Sequence, residues 1–227
     1  MAKEIFMKGK IMVLEGIDGS GKSTQAKMAA DYFADKGVPA LYYKFPRYQE
    51  TFFGKEVANY LNGKFGGVDE THPKLSSLLY AGDRFEKKGF LLKELSKGTV
   101  IVLDRYVTSN IAHQGAKLPE EEFADFKVWV EELEYGVYGL PKPALTVFLD
   151  MPPGVTDSLV DKRVPREYTH MQKDIHEADK SYLHRVYDAY RVMAAGAGWD
   201  TLVCHEENRP RTVEAIHRDI IARLEKE

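Results

Sequence analysis

The chain reads as an α/β protein built on a parallel sheet, and three observations predict it. Short, almost wholly apolar runs alternate with longer segments of helical periodicity. A complete G-x-x-x-x-G-K-[ST] loop joins the first apolar run to the first helical segment. No repeat, low-complexity stretch or linker interrupts the 227 residues, so a single domain over 1–227 is expected.

The elements follow in order. Residues 11–14 form an apolar run suited to a strand covered on both faces. Residues 16–24 then read Gly-Ile-Asp-Gly-Ser-Gly-Lys-Ser-Thr, and 23 to about 36 has helical character. Further strand-like runs lie at 40–45, 100–103, 145–149 and 202–204. One long helical segment is predicted over 72–96, with Pro73 tolerated in its first turn and Gly98 closing it. Another spans 120–137, where Phe123, Phe126, Val130, Leu133 and Val137 make a stripe suited to the core or to a subunit face. Segments 179–195 and 210–224 complete the set.

The loop carries the clearest chemistry. A triphosphate is a dense array of anionic oxygens, and backbone N–H groups at a helix start meet that charge. Gly16, Gly19 and Gly21 let the backbone approach without a Cβ in the way. Ile17, Asp18, Ser20 and Thr24 complete the stretch. Lys22 is placed for the β and γ phosphates, and Ser23 offers a hydroxyl to Mg²⁺. The loop points to a nucleoside triphosphate such as ATP and leaves the chemistry open.

Composition narrows the field. A net charge of -3 carries no basic field for nucleic acid. The single cysteine, Cys204, sits in an apolar run and reads as a buried thiol. The seven histidines lack metal spacing; His176-Glu177 has no second histidine. No run approaches a membrane span, and the amino terminus lacks a leader pattern, so a cytoplasmic protein without membrane attachment is expected.

Other candidates cluster after strand ends, where ligands of open parallel sheets bind. The run Val100–Asp104 ends in a carboxylate suited to the metal region, with Arg105 directly after it. Asp150, ending another run, competes for the metal role, and Asp104 with Arg105 also reads as a plain ion pair. Arg47 follows the second strand. Tyr80 and Arg84 are four apart on one helical segment, so they share a face that suits a stacked base; the alternative is a half-buried tyrosine with a surface arginine. Asp161-Lys-Arg-Val-Pro-Arg166 runs toward Asp174 and is either a solvated loop or part of a closing lid.

Taken together, the loop with acidic Asp18, Phe45-Pro-Arg47, Asp83-Arg84, Asp104-Arg105-Tyr106 with Ser109-Asn110, and Gly139-Leu-Pro-Lys-Pro143 resemble the thymidylate kinase family over about residues 10–224. The resemblance implies the P-loop NTPase three-layer sandwich: a five-stranded parallel sheet flanked by helices, plus a lid at about 154–178. It implies phosphorylation of dTMP to dTDP with ATP and Mg²⁺, usually by a homodimer.

By the same resemblance, residues 19–24 hold the ATP phosphates and Asp18 bonds the sugar 3′-OH. Tyr80 stacks on thymine where the family often has Phe, and Arg84 reads the base edge. Arg47 and Arg105 hold the acceptor phosphate. Phe45, Asn110 and Gln114 line the dTMP site, with His113 near the sugar. Ser23, Asp104 and Glu177 flank the metal. Gly19 stands where some members carry a basic residue, so the catalytic cation is expected from the lid: Arg163 or Arg166, with Lys162 behind them.

The chemistry is coherent without the family. A phosphate acceptor is already anionic, so positioning and charge stabilisation matter more than a strong base. Another nucleoside-monophosphate kinase remains an alternative, as does a deoxynucleoside kinase, although the latter wants a base where this chain has Phe-Pro-Arg. A nucleotide-binding switch of the GTPase kind would want an Asn-Lys-x-Asp segment, which is not in the sequence.

Overall fold

The computed structural model describes residues 9–68, 70–160, 179–196 and 198–226. Five strands form one parallel sheet: β1 (Lys10–Glu15), β2 (Ala40–Lys44), β3 (Val100–Asp104), β4 (Leu145–Asp150) and β5 (Trp199–Val203), in the order β2-β3-β1-β4-β5. Around it lie α1 (Lys22–Asp35), α2 (Phe52–Leu61), α3 (Pro73–Glu86), α4 (Lys88–Ser96), α5 (Val107–Gly115), α6 (Glu120–Glu131), α7 (Pro153–Val160), α8 (Lys180–Ala195) and α9 (Val213–Leu224).

Side-chain alternation along the strands builds two cores, one per sheet face. Ile11, Val13, Ile101, Leu103 and Phe148 face α5, α6 and α8. Met12, Leu14, Val100, Val102, Val147 and Leu149 face α1 and α9. That two-sided burial explains why the strands read as continuous apolar runs. Register places Leu14 beside Asp104, and Asp104 beside Lys44, so these strands end in one line. The residues after them converge on that edge.

The structure redraws several predicted elements. The 72–96 segment is two helices, broken at Lys87, whose N–H donates three residues back to the Arg84 carbonyl. The break falls in the polar run Glu86-Lys87-Lys88-Gly89, flanked on both sides by residues that read as helix. After α6 the chain widens into a π-helical turn, Glu132–Val137. The wider turn shifts the phase of the face by about one residue. Val137, expected on a face turned to the core or to another subunit, is 72% exposed, and Glu134 is fully buried. Helices α2 and α5 and the hairpin β6 (His205–Glu206) with β7 (Arg209–Pro210) lie outside the predicted elements. The last helix starts later than 210, because Thr212 caps it by accepting from the Ala215 N–H at 3.2 Å. Among the described residues, no helix is long and apolar enough to cross a membrane.

Candidate active site

The phosphate loop links the end of β1 to α1. Gly21 sits at the N-cap with φ 87°, a left-handed backbone that suits glycine. Gly16, at φ 146°, is tightly enclosed: a Cβ there would lie 2.8 Å from Ser20 Oγ and 3.0 Å from the Leu149 carbonyl. Ile17 and Ser20 are buried, Asp18 is half-buried and Thr24 points outward. Lys22 folds back over the loop, donating to the Ile17 carbonyl at 2.7 Å. Burial, reinforced by the nearby Arg105 charge, lowers its pKa to about 7.

Ser23 Oγ donates to Asp104 Oδ2. Tyr42 approaches the same oxygen at 3.5 Å and Lys44 at 4.0 Å. Asp104 Oδ1 is buried and has no hydrogen-bond partner. A hydroxyl beside a carboxylate with a spare oxygen fits Mg²⁺, which takes few protein ligands and keeps its waters. Among the described residues no set of three or more His, Cys, Asp or Glu side chains gathers as a metal cage. Glu177, Arg163, Arg166, Lys162 and Asp174 lie outside the described residues.

Arg105 turns away from Asp104 and pairs with Asp18 at 2.8 Å. Its backbone is left-handed, φ 70°, a conformation that non-glycine residues adopt mostly where a site demands it. Its other nitrogen contacts Ser109 Oγ at 3.2 Å, His113 Nε2 at 2.9 Å and Tyr190 Oη at 3.4 Å. Burial alone would lower the guanidinium pKa, but Asp18 and the surrounding groups outweigh it and hold Arg105 firmly charged.

Glu15 was not singled out from sequence, yet it organises this corner. Fully buried, it accepts from the Tyr106 N–H at 3.0 Å, Thr108 Oγ1 at 2.6 Å and the Ser109 N–H at 3.1 Å. It also accepts from Ser109 Oγ at 2.6 Å and Tyr190 Oη at 2.9 Å. It therefore caps α5 and steadies two of the groups that touch Arg105. Its only sequence signal is a carboxylate closing an otherwise apolar strand.

Asp83 has a similar task after β2. It accepts from the Arg47 N–H at 3.0 Å and from Thr51 Oγ1, and burial pushes its carboxyl pKa up. The Arg47 guanidinium pairs with Glu50 and lies 4.6 Å from the Tyr43 ring centre. Phe45 is fully buried between Tyr43 and Tyr106.

Helices α3 and α5 enclose a polar cluster. Tyr80 is half-buried, edge-on to Tyr60 with ring centres 6.4 Å apart. Arg84 is 2% exposed, not a surface group. Its Nε and Nη2 bind Glu134 at 2.5 and 2.6 Å, which outweighs the effect of burial and keeps it charged. Asn110 Nδ2 donates to Glu134 at 2.9 Å and to the Ser77 carbonyl at 3.2 Å. Gln114 Oε1 accepts from Ser76 Oγ at 2.6 Å. Asn110 Oδ1, Gln114 Nε2 and Ser77 Oγ are buried without partners. Glu134 lies one turn on from Val130 at the flank of the apolar stripe, and nothing in the sequence signals its pairing with Arg84, fifty residues away.

A family model described as thymidylate kinase matches residues 14–220. The chain belongs to the thymidylate kinase family. It is 34% identical over 213 residues to the thymidylate kinase of Homo sapiens, covering 94% of this chain and 88% of that one. It is 32% identical to a probable thymidylate kinase of Pyrococcus abyssi, covering 97% and 98%. A thymidylate kinase structure from Candida albicans aligns over 96% of this chain and 92% of its own, with TM-score 0.73. At 23% identity that likeness speaks to the fold: the P-loop sandwich with a five-stranded parallel sheet. Family membership makes the protein a transferase, a nucleoside-monophosphate kinase, and sets aside the nucleoside kinase and the switch module.

Proposed function

We propose that the chain transfers the γ-phosphoryl group of ATP, with Mg²⁺, to dTMP. The observation that carries this reading is the Asp18–Arg105 pair at 2.8 Å, which joins the triphosphate loop to the residue suited to the acceptor phosphate. Lys22 and the loop N–H groups bind the β and γ phosphates. Arg105, held by Asp18, Ser109 and Tyr190, orients the acceptor phosphate, and Arg47 supplies a second cation beyond β2. Asp18 is assigned to the sugar hydroxyl by the family resemblance. Ser23 and Asp104 would hold Mg²⁺, which neutralises phosphate charge when bound. Glu177 is assigned to the same region.

The attacking oxygen belongs to an already ionised phosphate, so these residues position two anions and need extract no proton. Residues 154–178 act as the lid, with Arg163 or Arg166 completing the charge around the transferred group and closure excluding water. Phe45 backs the acceptor region, Tyr80 stacks on the base, and Arg84, Asn110 and Gln114 face its edge. The family resemblance supports a homodimer; the unbroken α/β pattern supports one domain over the whole chain, and the sequence composition supports a cytoplasmic setting.

Product analysis tests the reaction. Chromatography of wild-type protein with ATP, MgCl₂ and dTMP is expected to show dTDP and ADP in equal amounts, with turnover lost on chelation by EDTA. ADP formed without dTDP would refute the transfer.

A further inference from the structure

We propose that Glu134 is a positioning residue for base selection, setting the hydrogen-bond polarity of the pocket between α3 and α5. The inference rests on the reading above that this pocket takes the base of dTMP. The Glu134 carboxylate, on the π-helical turn, is fully buried and receives three N–H groups, two from Arg84 and one from Asn110. A buried ion pair is a poor device for stability alone, since apolar residues of similar size often serve as well. What it does here is fix orientation.

Asn110 shows how. Both neighbours of its Nδ2, the Glu134 carboxylate and the Ser77 carbonyl, are acceptors only. The amide therefore has one sensible orientation, with its nitrogen toward Glu134 and its oxygen left over. That oxygen is buried and unpartnered. Gln114 lies four residues on, on the same face of α5. Ser76 occupies its oxygen and leaves its nitrogen buried and unpartnered.

The pocket thus presents a bare acceptor from Asn110, one unpartnered end of the Gln114 amide, and the Arg84 guanidinium. A 4-keto pyrimidine offers the complement: an N3–H donor flanked by carbonyl acceptors. A 4-amino pyrimidine presents an unprotonated N3 to the Asn110 oxygen and an amino group on the side where a keto oxygen would meet a donor. A site built for one polarity rejects the other strongly, because mismatched polar groups are left buried and unpaired.

The test compares dTMP and dCMP as acceptors for the wild type and for Glu134→Gln. Glutamine keeps the size but places an NH₂ among converging donors, so Arg84 or Asn110 loses an acceptor. The expected result is a rise in KM for dTMP of about tenfold, and a fall of about tenfold in the ratio of kcat/KM for dTMP over dCMP, with KM for ATP unchanged. An unchanged KM and ratio would overturn the proposal. So would a uniform loss toward dTMP, dCMP and ATP, the mark of a purely structural residue. Should Glu134→Gln fail to fold, Glu134→Asp carries the test: it keeps the charge but shortens the reach, and wild-type selectivity in folded protein would refute the inference. Failure of the underlying reading shows earlier, as a wild type that does not prefer dTMP to dCMP.

Discussion

The phosphate loop and the pocket between α3 and α5 solve the binding problem in opposite ways. The loop is one contiguous stretch, residues 16–24, whose binding groups are largely backbone N–H. The pocket draws Tyr80 and Arg84 from α3, Asn110 and Gln114 from α5, and Glu134 from a π-helical turn. A site made of backbone tolerates the loss of one side chain without losing its shape. A site made of interlocked side chains does not, because each partner left behind becomes an unpaired buried group.

Substitutions can break or sharpen that contrast. Lys22→Ala is expected to lower kcat by about 10²–10³-fold, the scale for removing one preorganised donor, measured by ADP release. The fold should not suffer. Lys22 has a folded-state pKa of about 7 against an ordinary 10.5, so folding favours its neutral form. Its contribution to stability therefore worsens as pH falls from 10.5 toward 7, and removing it should leave the melting temperature at pH 7 equal or higher. A large drop would mean that the loop depends on this side chain for its shape.

Glu134→Ala should do the reverse. Leaving Arg84 buried without its counter-charge is expected to cost about 3–5 kcal/mol of stability in urea unfolding. A loss below about 1 kcal/mol, the usual scale of an exposed pair, would contradict the interlocked picture.

Arg105→Ala is expected to reduce kcat/KM for dTMP by about 10²-fold, with little change in KM for ATP. Equal damage to both substrates would place Arg105 with the triphosphate instead. Glu15→Gln puts an NH₂ among five donors at the start of α5, and should cost about 1–3 kcal/mol in the same unfolding assay.

The smallest effect concerns pH. Bound phosphates favour the Lys22 ammonium, so ATP binding above pH 7 should take up a proton. ATP affinity should then weaken by up to about tenfold per pH unit between 7 and 9. Calorimetry in buffers of different ionisation enthalpy measures both effects. Lys22→Arg should abolish them, and a wild type without proton uptake would refute the lowered pKa.

The same contrast explains what was legible in the sequence. The sheet and the loop were readable because they depend on local order: apolar runs for doubly covered strands, glycines and Lys22 at set spacing. The partners of Arg105 and Arg84 were not. Asp104 is adjacent to Arg105 in sequence, yet the left-handed backbone at Arg105 accompanies a pairing with Asp18, far away in the chain. Helical spacing places Glu134 one turn on from Val130, at the flank of the apolar stripe, and gives no sign that its carboxylate is buried while Val137 is exposed. The break at Lys87 falls in the short polar run Glu86-Lys87-Lys88-Gly89, between two stretches that each read as helix, so the two merge into one predicted segment. Glu15 showed only as a carboxylate closing an apolar strand, and its meaning depends on α5, which sequence periodicity missed.

The most direct test of the account is an ADP-release assay with ATP and Mg²⁺ across dTMP, dUMP, dCMP, AMP and thymidine. The account predicts fast turnover with dTMP, weaker turnover with dUMP and little with the others. Turnover with thymidine in place of dTMP would contradict the roles given to Arg47 and Arg105, and equal turnover with dCMP would contradict the polarity assigned to the base pocket.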